Sequence, residues 1–261
     1  MALEDFLDAI EPSRRSLSVV NRSAPDPVLR MLETTFEDQS VQVGEQIVAD
    51  RGDDVVVLSE ETGDGREILA TSPLEELMNT ILLVNSDLYK TGQTDLDTFE
   101  LPAVLTELDD VPFKLRGYPE SDKEKLLLVA ISRYIERHAW RSGAGRLRSS
   151  FQRLSRIKDE RGTRVVYKKI ASTDVQTHVY GVTDWTPPFD FGVRSHGGYT
   201  ADYRDSWFVV YTPPDDSLPG RPDQPPVALL ALETEPKRWE GYWTFDSSLV
   251  ADIDDYIARN M

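Results

Sequence analysis

Twice along its length the chain runs strand, helix, strand, strand, strand, helix, and few folds accommodate that order. The first pass covers residues 17–89. Leu17–Asn21 reads as a strand, and Pro25–Phe36 as a helix with Val28, Leu29, Leu32 and Phe36 inward. Val41–Ala49 and Val55–Ser59 read as strands, Gly63-Asp64-Gly65 is hairpin-turn chemistry, and Arg66–Ala70 is the return strand. Ser72 is placed to cap a helix that starts at Pro73 and runs to about Tyr89. The second pass covers residues 146–258. It has strands at Arg146–Phe151 and Val175–Gly181 around a helix at Leu154–Ala171, which Gly162 interrupts on one reading. A loop rich in Gly and Pro leads to strands at Ser206–Tyr211, Val227–Glu233 and Glu240–Phe245, then a helix at Ser247–Ala258. Val55–Ser59 aligns with Trp207–Tyr211 and Arg66–Ala70 with Val227–Ala231. Such a match is either a degenerate duplication or two ordinary α/β segments. The predicted fold is α/β: a mixed, largely Rossmann- or flavodoxin-like sheet flanked by helices, with two related halves if the duplication is real.

Connecting segments suggest the division of the chain. Leu3–Ile10 forms a short amphipathic helix ended by Pro12. Thr91–Asp110 is acidic, weakly periodic and broken by Pro102, which predicts a linker. Residues 1–110 then make an amino-terminal α/β half with its linker, and residues 111–261 an α/β core. Ser121, with Glu124 at capping-box spacing, starts a long helix to about Trp140, whose buried stripe is Leu127, Leu128, Ile131, Tyr134 and Ile135. Ser142-Gly-Ala-Gly145 breaks the chain. Thr212–Pro226 holds six prolines in fifteen residues and must be an exposed irregular loop.

Charge is segregated. The chain has 46 acidic and 29 basic residues, a net of −17. Residues 133–169 hold twelve basic and three acidic ones, so this block is +9 and the remainder −26. The expected surface is one positive face on a negative body. Arg exceeds Lys, Asp exceeds Glu, and cysteine is absent. This composition suits a halophilic cytoplasm, where the screening length falls to about 3 Å at molar salt and self-repulsion is removed. An ordinary acidic cytosolic protein is the alternative. Met1–Glu11 lacks the basic and apolar regions of a signal peptide, and no apolar run reaches the ~18 residues of a membrane span. A cytoplasmic protein without a membrane partner is expected.

No motif names a catalytic centre or a cofactor. His138, His178 and His196 lack partners at metal-ligand spacing. His138, late in a helix, reads as a satisfied structural residue. His196 lies in Arg194-Ser-His-Gly-Gly198, but the Gly-x-Ser-x-Gly elbow that would accompany an oxyanion hole is absent. Gly143-Ala-Gly145 lacks the third glycine of a dinucleotide site. The basic block admits a solvated helix face, a surface for an acidic protein, or a nucleic-acid surface. The charge elsewhere and the steep salt dependence of phosphate contacts argue against the last.

Geometry offers a ligand site. If Arg146–Phe151 and Val175–Gly181 are parallel neighbours joined by a helix, their carboxyl ends bring Gln152, Arg153 and Ser155 beside Asp184 and Trp185. His178 and Tyr180 lie on the second strand and complete the candidate set. On the blander reading, Asp184 only caps a turn before Pro187-Pro188.

An ordered series of segments carries a resemblance. It comprises Arg133-Tyr-Ile-Glu136, Ser149-Ser-Phe-Gln-Arg153, Tyr167–Ala171, His178-Val-Tyr-Gly181, Ser206–Tyr211, Ala228–Glu233 and Gly241–Asp246. Over Leu126–Ile257 the series resembles the DICT sensory domain of diguanylate cyclases and two-component systems, in the stand-alone form of halophilic archaea. The resemblance implies an α/β input domain in signal transduction and leaves its ligand open. No cyclase, kinase or receiver domain lies within the 261 residues, so output would pass to a signalling partner. The expected function is a non-enzymatic cytoplasmic sensory or regulatory protein that binds a small ligand, a signalling partner, or both. The alternatives are a small-molecule enzyme using Asp184, His178 and Arg153, and a transcriptional regulator using the basic segment 133–169.

Overall fold

Two mixed sheets organise the chain. The computed structural model describes residues 2–10, 15–36, 41–49, 52–63, 65–85, 96–97, 99–116, 124–216 and 219–261. Among them, β1 (Arg15–Val20), β2 (Val41–Gln46), β3 (Val55–Thr62) and β4 (Gly65–Pro73) form one sheet in the order β2-β1-β3-β4. Helix α1 (Asp26–Phe36) joins β1 to its parallel neighbour β2, and α2 (Leu74–Asn85) follows β4. The second sheet contains β5 (Phe113–Arg116), β6 (Arg146–Arg153), β7 (Gln176–Val182), β8 (Arg194–Gly197), β9 (Ser206–Thr212), β10 (Val227–Glu235) and β11 (Arg238–Thr244). Its order is β5-β11-β10-β9-β6-β7-β8. Helix α3 (Glu124–Ser142) precedes β6, α4 (Arg161–Ala171) lies between β6 and β7, and α5 (Ser247–Asn260) follows β11.

The fold is α/β, and the two sheets repeat one topology. In each, a strand pairs in parallel with the strand after its helix, β1 with β2 and β6 with β7. On its other side it pairs antiparallel with β3 or β9, which pairs antiparallel with β4 or β10. The segments aligned by sequence, Val55–Ser59 with Trp207–Tyr211 and Arg66–Ala70 with Val227–Ala231, occupy equivalent strands.

The second sheet is buried on both faces, so its strands read as continuous apolar runs rather than alternating ones. From β9, Val209 and Tyr211 enter the cluster on one face, and Phe208 and Val210 enter the cluster on the other. Burying each such side chain contributes on the order of 2 kcal/mol. The first cluster lies under α3 and α4 and continues without a gap to Leu17 and Leu58 of the first sheet. The second lies under α5, whose Val250, Ile253 and Ile257 meet Tyr180, Leu230 and Tyr242. Asp246 caps α5 by accepting from the Leu249 amide at 2.8 Å. Gly145, at φ 91°, turns the chain from α3 into β6 where a Cβ would collide with the Thr212 carbonyl.

The structure corrects several expectations. Residues 3–9 form a 3-10 helix that packs on the second sheet, not the first: Leu3 and Phe6 join the second cluster, and the Tyr242 hydroxyl donates to the Phe6 carbonyl at 2.9 Å. Ser72 does not cap α2. It is buried in β4, where its hydroxyl accepts from the Val104 amide at 3.2 Å, because β4 continues through Pro73. The described part of the expected linker is packed, with Leu96, Val104, Leu105 and Leu108 buried around the short helix Ala103–Thr106. Glu160, not Gly162, divides the helix after β6, and Gly162 is buried within α4. The loop expected after β7 contains the edge strand β8, while Asp64, Ser121 and residues 86–95 lie outside the described residues.

Candidate functional site

The carboxyl ends of β6 and β7 do stand side by side, with Arg153 opposite Val182. Gln152 takes φ 58° within a register shift in β6 between Ser150 and Arg153, an irregularity of the bulge kind at the strand end. Asp184 accepts from the Ser155 amide at 2.9 Å and from the Ser155 hydroxyl at 2.7 Å. Burial works to raise the Asp184 pKa, but these bonds and the nearby Arg153 outweigh it and hold it below the usual range. Trp185 packs edge-on to Phe191, ring centres 6.5 Å apart. This edge is a polar staple, in line with the reading that Asp184 caps a turn.

His178 and Tyr180 stand elsewhere, on the α5 side of the sheet. His178 Nδ1 lies 2.9 Å from His196 Nε2, and the His196 ring stacks on Tyr180 at 4.5 Å. Arg148 donates to the Tyr180 hydroxyl at 2.6 Å and to Asp254 of α5 at 2.7 Å; Arg146 donates to the same carboxylate at 2.5 Å. Burial, with Arg148, His196, Arg194 and Arg146 adding to it, lowers the His178 pKa to about 4. The expected set of seven residues therefore divides between two places.

A third place was not anticipated. A cleft lies between α3, α4 and the end of β6, lined in part by Arg133, Glu136, Ser149, Arg156, Tyr167 and Trp207. Glu136 is buried and ion-paired with Arg133. Its burial outweighs the Arg133 charge and raises its pKa. Arg133 also donates to Thr163 at 2.9 Å, which in turn donates to Glu160 at 3.1 Å. Trp207 Nε1 donates to Ser132 at 3.0 Å and is held against the cleft wall. The Tyr167 and Ser149 hydroxyls are both fully buried; they lie close to one another and Tyr167 lies close to the Glu136 carboxylate, without the geometry of a well-formed hydrogen bond. Burial first, then the Glu136 carboxylate, pushes the Tyr167 phenol well above its ordinary pKa. The cavity measures about 30 Å³, enough for about one or two waters. The cleft thus offers a buried carboxylate, two hydroxyls that each donate and accept, and an aromatic wall.

The basic block is not one positive face. Arg133, Arg137, Arg146 and Arg148 turn inward: Arg137 donates to the Leu96 carbonyl at 3.1 Å and to Glu100 at 2.9 Å. The outward remainder is concentrated on and before α4. His138 is also less satisfied than expected. It packs on Tyr134 with ring centres 4.4 Å apart, its Nδ1 is buried without a partner, and burial lowers its pKa to about 4. A charged residue inside an apolar stripe was the available signal for the missed groups: Asp254 falls four residues after Val250, and Glu136 directly follows Ile135.

Among the described residues no group of three or more His, Cys, Asp or Glu side chains is arranged to hold a metal ion, and no helix is long and apolar enough to cross a membrane. No family model matches the chain, and no curated protein matches it. Among solved structures it is similar to a polyphosphate kinase from Porphyromonas gingivalis, at 9% identity and a TM-score of 0.36. The match covers 98% of this chain and 44% of that one, so this chain spans less than half of its length. Likeness at that level assigns neither fold nor activity.

Proposed function

We propose that this chain is a cytoplasmic sensory or regulatory protein without catalytic output, which binds a small polar ligand in the cleft between α3, α4 and β6 and signals through a partner. The observation that carries the reading is the buried polar cluster of Tyr167, Ser149 and Glu136 lining a small cavity, whose two hydroxyls lie close to partners but meet none in good geometry. A buried hydroxyl left wholly unsatisfied costs about 1–3 kcal/mol and a poorly bonded one costs part of that, so a ligand that completes the bonding is stabilised here. The resemblance to DICT domains points to the same class of function. The cavity holds only about one or two waters, so a larger ligand enters as α3 and α4 part. Binding then favours one arrangement of the helices over another, which is the requirement for a ligand to transmit a signal.

Native mass spectrometry of the freshly purified protein, with a thermal-shift screen of amino acids, nucleosides, nucleotides and polyols, tests the reading. The expected result is a retained or stabilising small molecule that the variant Ser149→Ala/Tyr167→Phe no longer binds. Retention of the same molecule by that variant, or no response of the wild type to any of these, rejects the cleft as the site.

A further inference from the structure

Helix α4 has two functional sides. Gly162, Thr163, Val166, Tyr167 and Ile170 face inward, and Thr163 and Tyr167 line the cleft. Arg161, Arg164, Val165 and Lys168 face solvent. That spacing is i, i+3, i+4, i+7, the stripe by which a helix packs against another element. Val165 at its centre is 43% exposed. Helices α1, α2, α3 and α5 each carry acidic residues, whereas α4 has four cations and none. Arg161, Arg164 and Lys168 make no ion pair among the described residues. Lys168 instead lies 5.9 Å from the ring centre of Phe191, in the turn that also holds the fully exposed Phe189.

We propose that this stripe is a docking surface for an acidic partner protein, one that presents carboxylates around an apolar residue. In a chain of net charge −17 the stripe is a local inversion of sign, and its complement is an acidic surface. Val165 amid Arg161, Arg164 and Lys168 has the composition of a protein interface, an apolar centre with a charged rim, and exposed Phe189 stands in the same turn as Phe191, which Lys168 approaches. A nucleic acid would take the cations but leave the apolar side chains uncovered, and its phosphates would continue past the short stripe onto the acidic surface around it, which a compact acidic patch need not meet. The proposal deepens the signalling reading and rests on it for the partner's role, since α4 presents its stripe directly behind the cleft.

The test is fluorescence anisotropy at about 0.15 M KCl, where surface charges still act over about 8 Å. The probes are a synthetic amphipathic peptide with Leu and Phe flanked by Glu, and a single-stranded DNA of equal charge. The full chain is compared with Arg161→Glu/Arg164→Glu/Lys168→Glu, with Val165→Ser and with Tyr167→Phe. The expected result is peptide binding that exceeds DNA binding, falls about tenfold or more on charge reversal, and weakens with Val165→Ser. Binding by Tyr167→Phe separates the surface from the cleft, because it persists even if the ligand reading fails. Undetectable peptide binding, indifference to charge reversal, or DNA binding as tight as peptide binding overturns the proposal. So does a dimer in sedimentation that charge reversal dissolves, which would assign the stripe to a second copy.

Discussion

Arg148 of β6 donates to Asp254 of α5 at 2.7 Å, with both side chains buried between the sheet and the last helix. Arg146 shares the carboxylate and the Tyr180 hydroxyl shares Arg148, so one acid organises two guanidiniums and a phenol. Removing a single partner from a buried ion pair leaves an uncompensated charge. Asp254→Asn should therefore destabilise by roughly 3–5 kcal/mol in urea unfolding. A loss below about 1 kcal/mol would mean that water reaches the arginines.

The buried histidines set a pH dependence. His178 and His138 each have a folded pKa of about 4, below the value near 6.5 of an unfolded chain. The unfolded state thus binds more protons between these values. Stability from both groups is fully present above about pH 6.5 and is lost as pH falls toward 4. His178→Gln should flatten the decline of the melting temperature between pH 6.5 and 4.5. An unchanged slope would place the effect on other groups.

At the outer edge, Asp184 makes two exposed hydrogen bonds to Ser155. Asp184→Ala should cost about 1 kcal/mol. Ligand binding in the cleft should persist, because Ser149, Glu136 and Tyr167 keep their places. Loss of ligand with full stability would move the site to this edge.

The sequence was informative where one period dominated. Apolar runs such as Ser206–Tyr211 and Val227–Glu233 announced buried strands, and the parallel pairing of β6 with β7 followed from the helix between them. Short elements escaped. Four-residue strands β5 and β8 are too brief to show alternation, and they exist because neighbouring strands offer them hydrogen bonds. The edge of the sheet was legible from topology, hence Ser155 and Asp184. The cleft was not, because Glu136, Ser149 and Tyr167 come from three elements whose packing no local pattern specifies. The basic block misled for the same reason: tertiary contacts, not spacing, decide that Arg148 turns inward while Arg164 turns out.

The most direct test of the cleft is the stability of Tyr167→Phe against the wild type, both refolded without small molecules and unfolded in urea. If the Tyr167 hydroxyl gains little from nearby Ser149 and Glu136 and is held for a ligand, its removal relieves a poorly bonded buried group, and stability should stay level or rise, by at most about 1–3 kcal/mol. A loss of more than about 1 kcal/mol would show that the hydroxyl is bonded within the fold, and would contradict the cleft as a ligand site.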